Sequence, residues 1–109
     1  MHELAIAQSV VRIAEAHAEG RPVVGVNLKV GHLRQVMPSA LRFSFQLASQ
    51  GTALDGAELR IEEVPAAARC RSCSLQTVLE AFPFECAECG GSDLELVAGE
   101  ELLVESIDV

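Results

Sequence analysis

Cys70-Arg71-Ser72-Cys73, twelve further residues, then Cys86-Ala87-Glu88-Cys89-Gly90-Gly91: this stretch organises the chain around it. Two C-x2-C turns separated by a short polar spacer can each present two thiolates to one tetrahedral Zn2+, with Zn–S distances of about 2.3 Å. Gly90 and Gly91 stand where a turn around a metal commonly needs positive φ. All four cysteines of the chain are used, so the expected site is closed and leaves no position for a catalytic water. Two disulfides would need an oxidising compartment, and a redox dithiol normally occurs as one C-x-x-C on a βαβ scaffold; structural zinc is the reading taken here. So short a segment buries little surface, and metal binding is expected to supply most of its folding energy.

Upstream of the cysteines, Leu4, Ala7, Val11 and Ala14 recur at spacings of three and four, joined by Val10 and Ile13, with Gln8, Arg12, Glu15 and Glu19 opposite. This pattern predicts an amphipathic helix of about four turns over 4–19, stopped by Gly20 and Arg21-Pro22. Val24, Val26, Leu28 and Val30 then alternate with smaller or polar residues, as in a strand with one buried face. Pro38 suits the first turn of a second helix, whose stripe of Leu41, Phe45 and Ala48 runs out at Gly51. Leu59 and Ile61 alternate with charged residues until Pro65, a second strand. Residues 66–95 show little periodicity, and Glu101–Val109 reads again as a strand. Its apolar phase shifts between Leu102-Val104 and Ile107-Val109; a bulge or a partly covered edge would each absorb that. A terminal strand needs a sheet to join, so the expected fold is α+β: a small two-helix, three-stranded-sheet domain with an inserted zinc ribbon. The expected division is 1–66 plus 97–109 for the first, discontinuous domain and 67–96 for the ribbon.

Composition narrows the partners. Half of the 109 residues are hydrophobic, fifteen of them alanine, and the only aromatics are Phe43, Phe45, Phe82 and Phe84. The core is therefore aliphatic, and no Tyr or Trp is present to stack on bases. The formal net charge is −8. The last basic residue is Arg71, and nine acids follow between Glu80 and Asp108, so this third should repel nucleic acid and anionic membranes. No apolar run of eighteen residues exists to form a membrane helix, and Met1-His2-Glu3 does not open an export signal, so a reducing cytoplasm is the expected location. No Ser/His/Asp set, phosphate-binding glycine loop or open metal site is evident, so no catalytic residue is assigned and the protein is not expected to be an enzyme.

The first three residues carry a second possible metal chemistry. In a chain starting at Met1, the imidazole and amide nitrogen of His2 close a six-membered chelate ring, and the Met1 amine with the same amide closes a five-membered one. The Glu3 amide can complete a plane of four nitrogens, which suits Ni2+ or Cu2+. The bulk of His2 should also keep Met1 in place. By itself, a terminal histidine is usually a frayed, solvated residue, and His17, near a helix end, and His32, in a loop after a strand, are assigned to no metal.

Taken together, these residues resemble the HypA/HybF family of hydrogenase maturation proteins, the nickel metallochaperones. The likeness covers essentially the whole chain: Met1-His2-Glu3, Ala40-Leu41-Arg42-Phe43-Ser44-Phe45, Gly51-Thr52, Gly56-Ala57-Glu58-Leu59, Glu62-Glu63-Val64-Pro65 and both cysteine pairs. The resemblance implies a nickel-binding α/β domain and a zinc ribbon, with Ni2+ as transferred cargo and Zn2+ as structural cofactor. It implies delivery to the [NiFe]-hydrogenase large subunit in concert with the HypB GTPase, which supplies the nucleotide hydrolysis, and the helix from Leu4 to Glu19 as a docking surface for that GTPase. By the same resemblance His2 is the nickel ligand, with the Met1 amine and the Glu3 backbone completing the site, and Cys70, Cys73, Cys86 and Cys89 are the zinc ligands. Nickel affinity is then expected to fall as pH drops through about 6.5, the ordinary range of imidazole. Copper outranks nickel in divalent affinity, so selectivity must come from partners and metal supply. The alternative is a zinc-ribbon protein- or nucleic-acid-interaction module without nickel transfer; Arg69 and Arg71 are the only bases near the first cysteine pair, which argues against nucleic acid.

Overall fold

The computed structural model describes residues 2–80 and 84–109. The chain runs α1 (Glu3–Ala18), β1 (Gly25–Gly31), a 3-10 turn (His32–Arg34), α2 (Pro38–Ser49), β2 (Glu58–Val64), β3 (Ala67–Cys70), β4 (Gln76–Val78), β5 (Leu94–Ala98) and β6 (Leu102–Asp108). The predicted α+β fold of two helices, a three-stranded sheet and an inserted ribbon is what the elements form.

α1 buries Ala7, Val10, Val11, Ala14 and Ala18, small residues that let the helix lie close to its neighbours. Leu4 and Ile13, expected in the same stripe, are 48% and 45% exposed. Burial starts only at Ala7, one turn in, and at 100° per residue Ile13 falls about a third of a turn from the centre of the buried set. The helix ends in two left-handed residues, Glu19 at φ 53° and Gly20 at φ 85°. The Arg21 backbone N–H (3.1 Å) and guanidinium Nε (2.8 Å) both donate to the Ala18 carbonyl, which the helix leaves without a partner. Pro38 occupies the first turn of α2 as predicted.

β1 is the central strand of the first sheet, parallel to β2 and antiparallel to β6. A parallel pair needs a crossover, and α2 supplies it. Val26, Leu28 and Val30 are buried with Leu41, Phe45, Leu54 and Leu59 in one cluster. On the opposite sheet face Asn27 donates to Ser106 Oγ (2.9 Å), Lys29 pairs with Glu105 (2.9 Å), and Arg60 reaches both Glu58 (2.7 Å) and Asp108. Exposed pairs like these add little energy, but they stand across all three strands. The phase shift in the last strand has both of the causes weighed from sequence. Asn27 faces Ser106 while Leu28 faces Val104, so Glu105 is an extra, bulged residue, and β6 is also an edge. The bulge lets both Val104 and Ile107 pack on the core.

The second sheet has the order β4-β3-β5, antiparallel throughout. Sequence patterning showed little periodicity here because these strands are three to five residues long, too short to display a period of two. The chain is elongated, 53 × 23 × 16 Å with a radius of gyration of 17.1 Å; a globular chain of this length would have about 13 Å.

Candidate metal centres

Both cysteine turns are built alike. In the first, Ser74 N–H donates to the Cys70 carbonyl (2.8 Å) and Cys70 N–H to the Leu75 carbonyl (2.8 Å). In the second, Gly90 N–H donates to the Cys86 carbonyl (2.9 Å) and Cys86 N–H to the Gly91 carbonyl (2.8 Å). The residue after the second cysteine is left-handed in each, Ser74 at φ 67° and Gly90 at φ 71°. Gly90 was expected to be so; Gly91 was too, but it does not have positive φ. A Cβ at Gly91 would lie 3.3 Å from Cys89 Sγ, so close approach to a ligand sulfur explains its small size. The residue type of Ser74 gives no sign of its left-handed backbone. Its place, immediately after Cys73 as Gly90 follows Cys89, was the available signal.

Hydrogen bonds from Arg71 hold the two halves together: its N–H donates to the Asp93 carbonyl (3.0 Å) and its guanidinium to Asp93 Oδ1 (2.8 Å). The four thiols are free and converge. Cys70 and Cys89 sulfurs are 3.7 Å apart, Cys73 and Cys86 sulfurs 3.5 Å, and all four lie within 4.8 Å of one another. A tetrahedron with 2.3 Å Zn–S bonds has edges of about 3.8 Å, so the set fits zinc. Its electrostatics fit as well. Backbone N–H groups of Cys89 and Glu88 draw the Cys86 thiol down to about 6, and the N–H of Cys73 lowers Cys70. Leu75 N–H pulls Cys73 down, yet the sulfur of Cys86 and its neighbours outweigh it and push the thiol up to about 12. For Cys89, Gly91 N–H is likewise outweighed by Cys70 and Cys86, and the thiol is raised. Four thiolates in this volume repel one another, and a divalent cation lets all four ionise.

The other predicted ligand is elsewhere. His2 is exposed and occupies the N-cap position of α1 without a side-chain cap bond. The helical ladder opens with Ile6 N–H donating to the His2 carbonyl (3.0 Å), downstream of the amide nitrogens of His2 and Glu3. Met1 lies outside the described residues. Glu3 Oε2 accepts a hydrogen bond from Met37 N–H (3.2 Å). Among the described residues, the cysteines are the one group of three or more His, Cys, Asp or Glu side chains near enough to share a metal. His17 is exposed with Nδ1 2.9 Å from the Ile13 carbonyl, and His32 lies 4.0 Å from Glu63.

A model of the family described as "Hydrogenase/urease nickel incorporation, metallochaperone, hypA" matches residues 1–109. The chain is similar to the hydrogenase maturation factor HypA of Trichormus variabilis, with 45% identity covering 100% of this chain and 96% of that one. It is 44% identical to the protein of the same name from Geotalea uraniireducens, covering 100% and 99%. In fold it is similar to the solution structure of the nickel metallochaperone HypA from Helicobacter pylori, with a TM-score of 0.70 at 20% identity over 100% of this chain and 97% of that one. With a match over every residue and relatives above 40% identity, the chain belongs to the HypA family.

Proposed function

We propose that this chain is a nickel metallochaperone: it binds Ni2+ at its N-terminus and delivers it for maturation of [NiFe]-hydrogenase, with the HypB GTPase and the hydrogenase large subunit as partners. The observation that carries this reading is His2, whose imidazole is exposed at the start of α1 and makes no cap bond to the helix. In the proposed site His2 supplies the imidazole, the Met1 amine and the Glu3 backbone supply further nitrogens, and the helical ladder begins only at Ile6. Such a site is compact and exposed, as quick transfer demands. Cys70, Cys73, Cys86 and Cys89 hold a structural Zn2+, and the closed set of thiolates takes no part in transfer. We divide the chain into 1–66 plus 97–109 for nickel and 67–96 for zinc, supported by β6 completing the first sheet and by β3, β4 and β5 forming their own.

Calorimetry on the untagged, zinc-loaded protein should give one nickel per chain, and His2→Ala should abolish it while zinc content stays at one. An N-terminal tag should have the same effect as His2→Ala and a C-terminal tag none. Undiminished one-to-one nickel binding by His2→Ala would defeat the assignment.

A further inference from the structure

The first sheet has two edges, and they differ. β2 carries Glu58, Arg60, Glu62 and Glu63 at exposed positions, and Arg42 and Gln46 of α2 share the hollow beside it, a charged margin of the kind that deters a further strand. β6 opens instead with Leu102-Leu103-Val104, which has no charge and leaves both leucines exposed. The carbonyls of Glu101 and Asp108 accept from Gly31 N–H (2.7 Å) and Val24 N–H (2.8 Å), on the β1 side. Alternate residues of an antiparallel ladder face the same neighbour, so the N–H and C=O groups of Leu102 and Val104 face the open edge. Their side chains lie on the core face, where α1 overhangs. A groove of about 270 Å3 runs there, with Ile6, Ser9 and Ile13 on the helix side and Leu102 and Val104 on the strand side. A second hollow of about 220 Å3 shares Ile13 and Val104 and continues the groove to His17 and Ile107.

Charge on the outer face of the sheet says what would fit. Glu62 of β2 stands beside Lys29 of β1, and Lys29 pairs with Glu105 of β6 (2.9 Å). The row alternates in sign from strand to strand, and its next member would be a base. A second copy of this chain would instead set Glu101, Glu105 and Asp108 against the same acids, and like charges opposite one another destabilise a strand pair. We propose that the β6 edge docks an extended segment of another protein, apolar and basic at alternate residues, which adds to the sheet as a fourth strand. Its apolar side chains enter the groove under α1, its bases lie beside Glu105, and its backbone pairs with Leu102 and Val104. The bulge at Glu105 bends the strand there and limits the pairing to its first half.

The test uses the full, untagged, zinc-loaded chain, isotope-labelled, and capped heptapeptides that alternate lysine with valine or glutamate with valine. The lysine peptide should shift the amides of Leu102, Leu103 and Val104 and protect those of Leu102 and Val104 from exchange, and the glutamate peptide should bind at least about tenfold more weakly. An added strand turns half its amides towards β6. N-methylation of one alternate set of peptide residues should therefore abolish binding, and N-methylation of the other set should leave it. Ile13→Ser should weaken the lysine peptide about tenfold, with the β1 and α2 amide spectrum retained because Ile13 is exposed. Glu105→Gln should weaken it as well. Several results would overturn the proposal: no binding of the lysine peptide, equal binding of the two peptides, indifference to which set is methylated, or shifts centred on β2. Dilution of the free chain that moved the same β6 amides would give the edge to a second copy and overturn it too.

Discussion

Ser74 holds a backbone conformation that costs a residue with a Cβ about 1–2 kcal/mol, in the turn that presents Cys70 and Cys73. Its counterpart Gly90 occupies the same conformation without that cost. Ser74→Gly should therefore tighten the first turn by about 1 kcal/mol, after the extra entropy of glycine in the unfolded chain is subtracted. Competition with a colorimetric chelator should show slower zinc loss from the variant, and faster loss would mean that the hydroxyl contributes more than the strain. His2 poses the opposite trade. A serine or aspartate at this N-cap would stabilise α1 by about 1 kcal/mol, which His2, with no side-chain cap bond, does not supply. The clustering of Cys70, Cys73, Cys86 and Cys89 was legible residue by residue because their spacing alone specifies it. Ser74 and the Glu3–Met37 contact were not, since one depends on backbone conformation and the other joins residues 34 positions apart.

Among the elements, α1, β1, α2 and β2 announced themselves, because each is long enough to show its period and ends at glycine or proline. The three ribbon strands did not, since their stability comes from the turns and metal beyond them, and a segment of three to five residues has no period to read. The bulge in β6 was visible only as a broken phase, and pairing with β1 was needed to locate it at Glu105. α2 offers the sharpest test of packing. Phe45 is 1% exposed, the largest of the fully buried side chains among the described residues, and it belongs to one aliphatic cluster with Leu41 and the first sheet's Val26, Leu28 and Leu59. Phe45→Ala should cost about 3–5 kcal/mol, read as a lower midpoint in denaturant at unchanged slope. A cost below 1 kcal/mol would mean that the core closes over the gap.

At the scale of the whole molecule, the two sheets have separate supports, one an apolar cluster and the other a metal. A strong chelator, or Cys73→Ser, should therefore release the amides of residues 67–80 and 84–96 to rapid hydrogen exchange while β1, β2 and α2 stay protected. Scattering from the zinc-loaded chain should give a radius near 17.1 Å, with expansion on zinc removal; a ribbon whose exchange protection survived without metal would contradict this. Charge follows the same division. Four thiolates on Zn2+ add −4 + 2 = −2 to the formal −8, so the metallated chain carries −10, with Cys86 and Cys89 in the third that has no base and Cys70 and Cys73 flanking Arg71. Finally, the order of the strands gives zinc an effect far from its own ligands. β6 is the last strand to be made and pairs with the first, Asp108 against Gly25, and 37 residues separate it from β2. With the ribbon closed, Ala67 and Ala98 lie side by side, so the loop that β6 must close shrinks to Pro65, Ala66 and the three residues from Gly99 to Glu101. By the logarithmic dependence of closure entropy on length, that shortening favours the sheet by about 2 kcal/mol. Metal captured early at the tip thus makes the final strand arrive as if from a tight turn, and nascent chains starved of zinc should reach the native sheet more slowly.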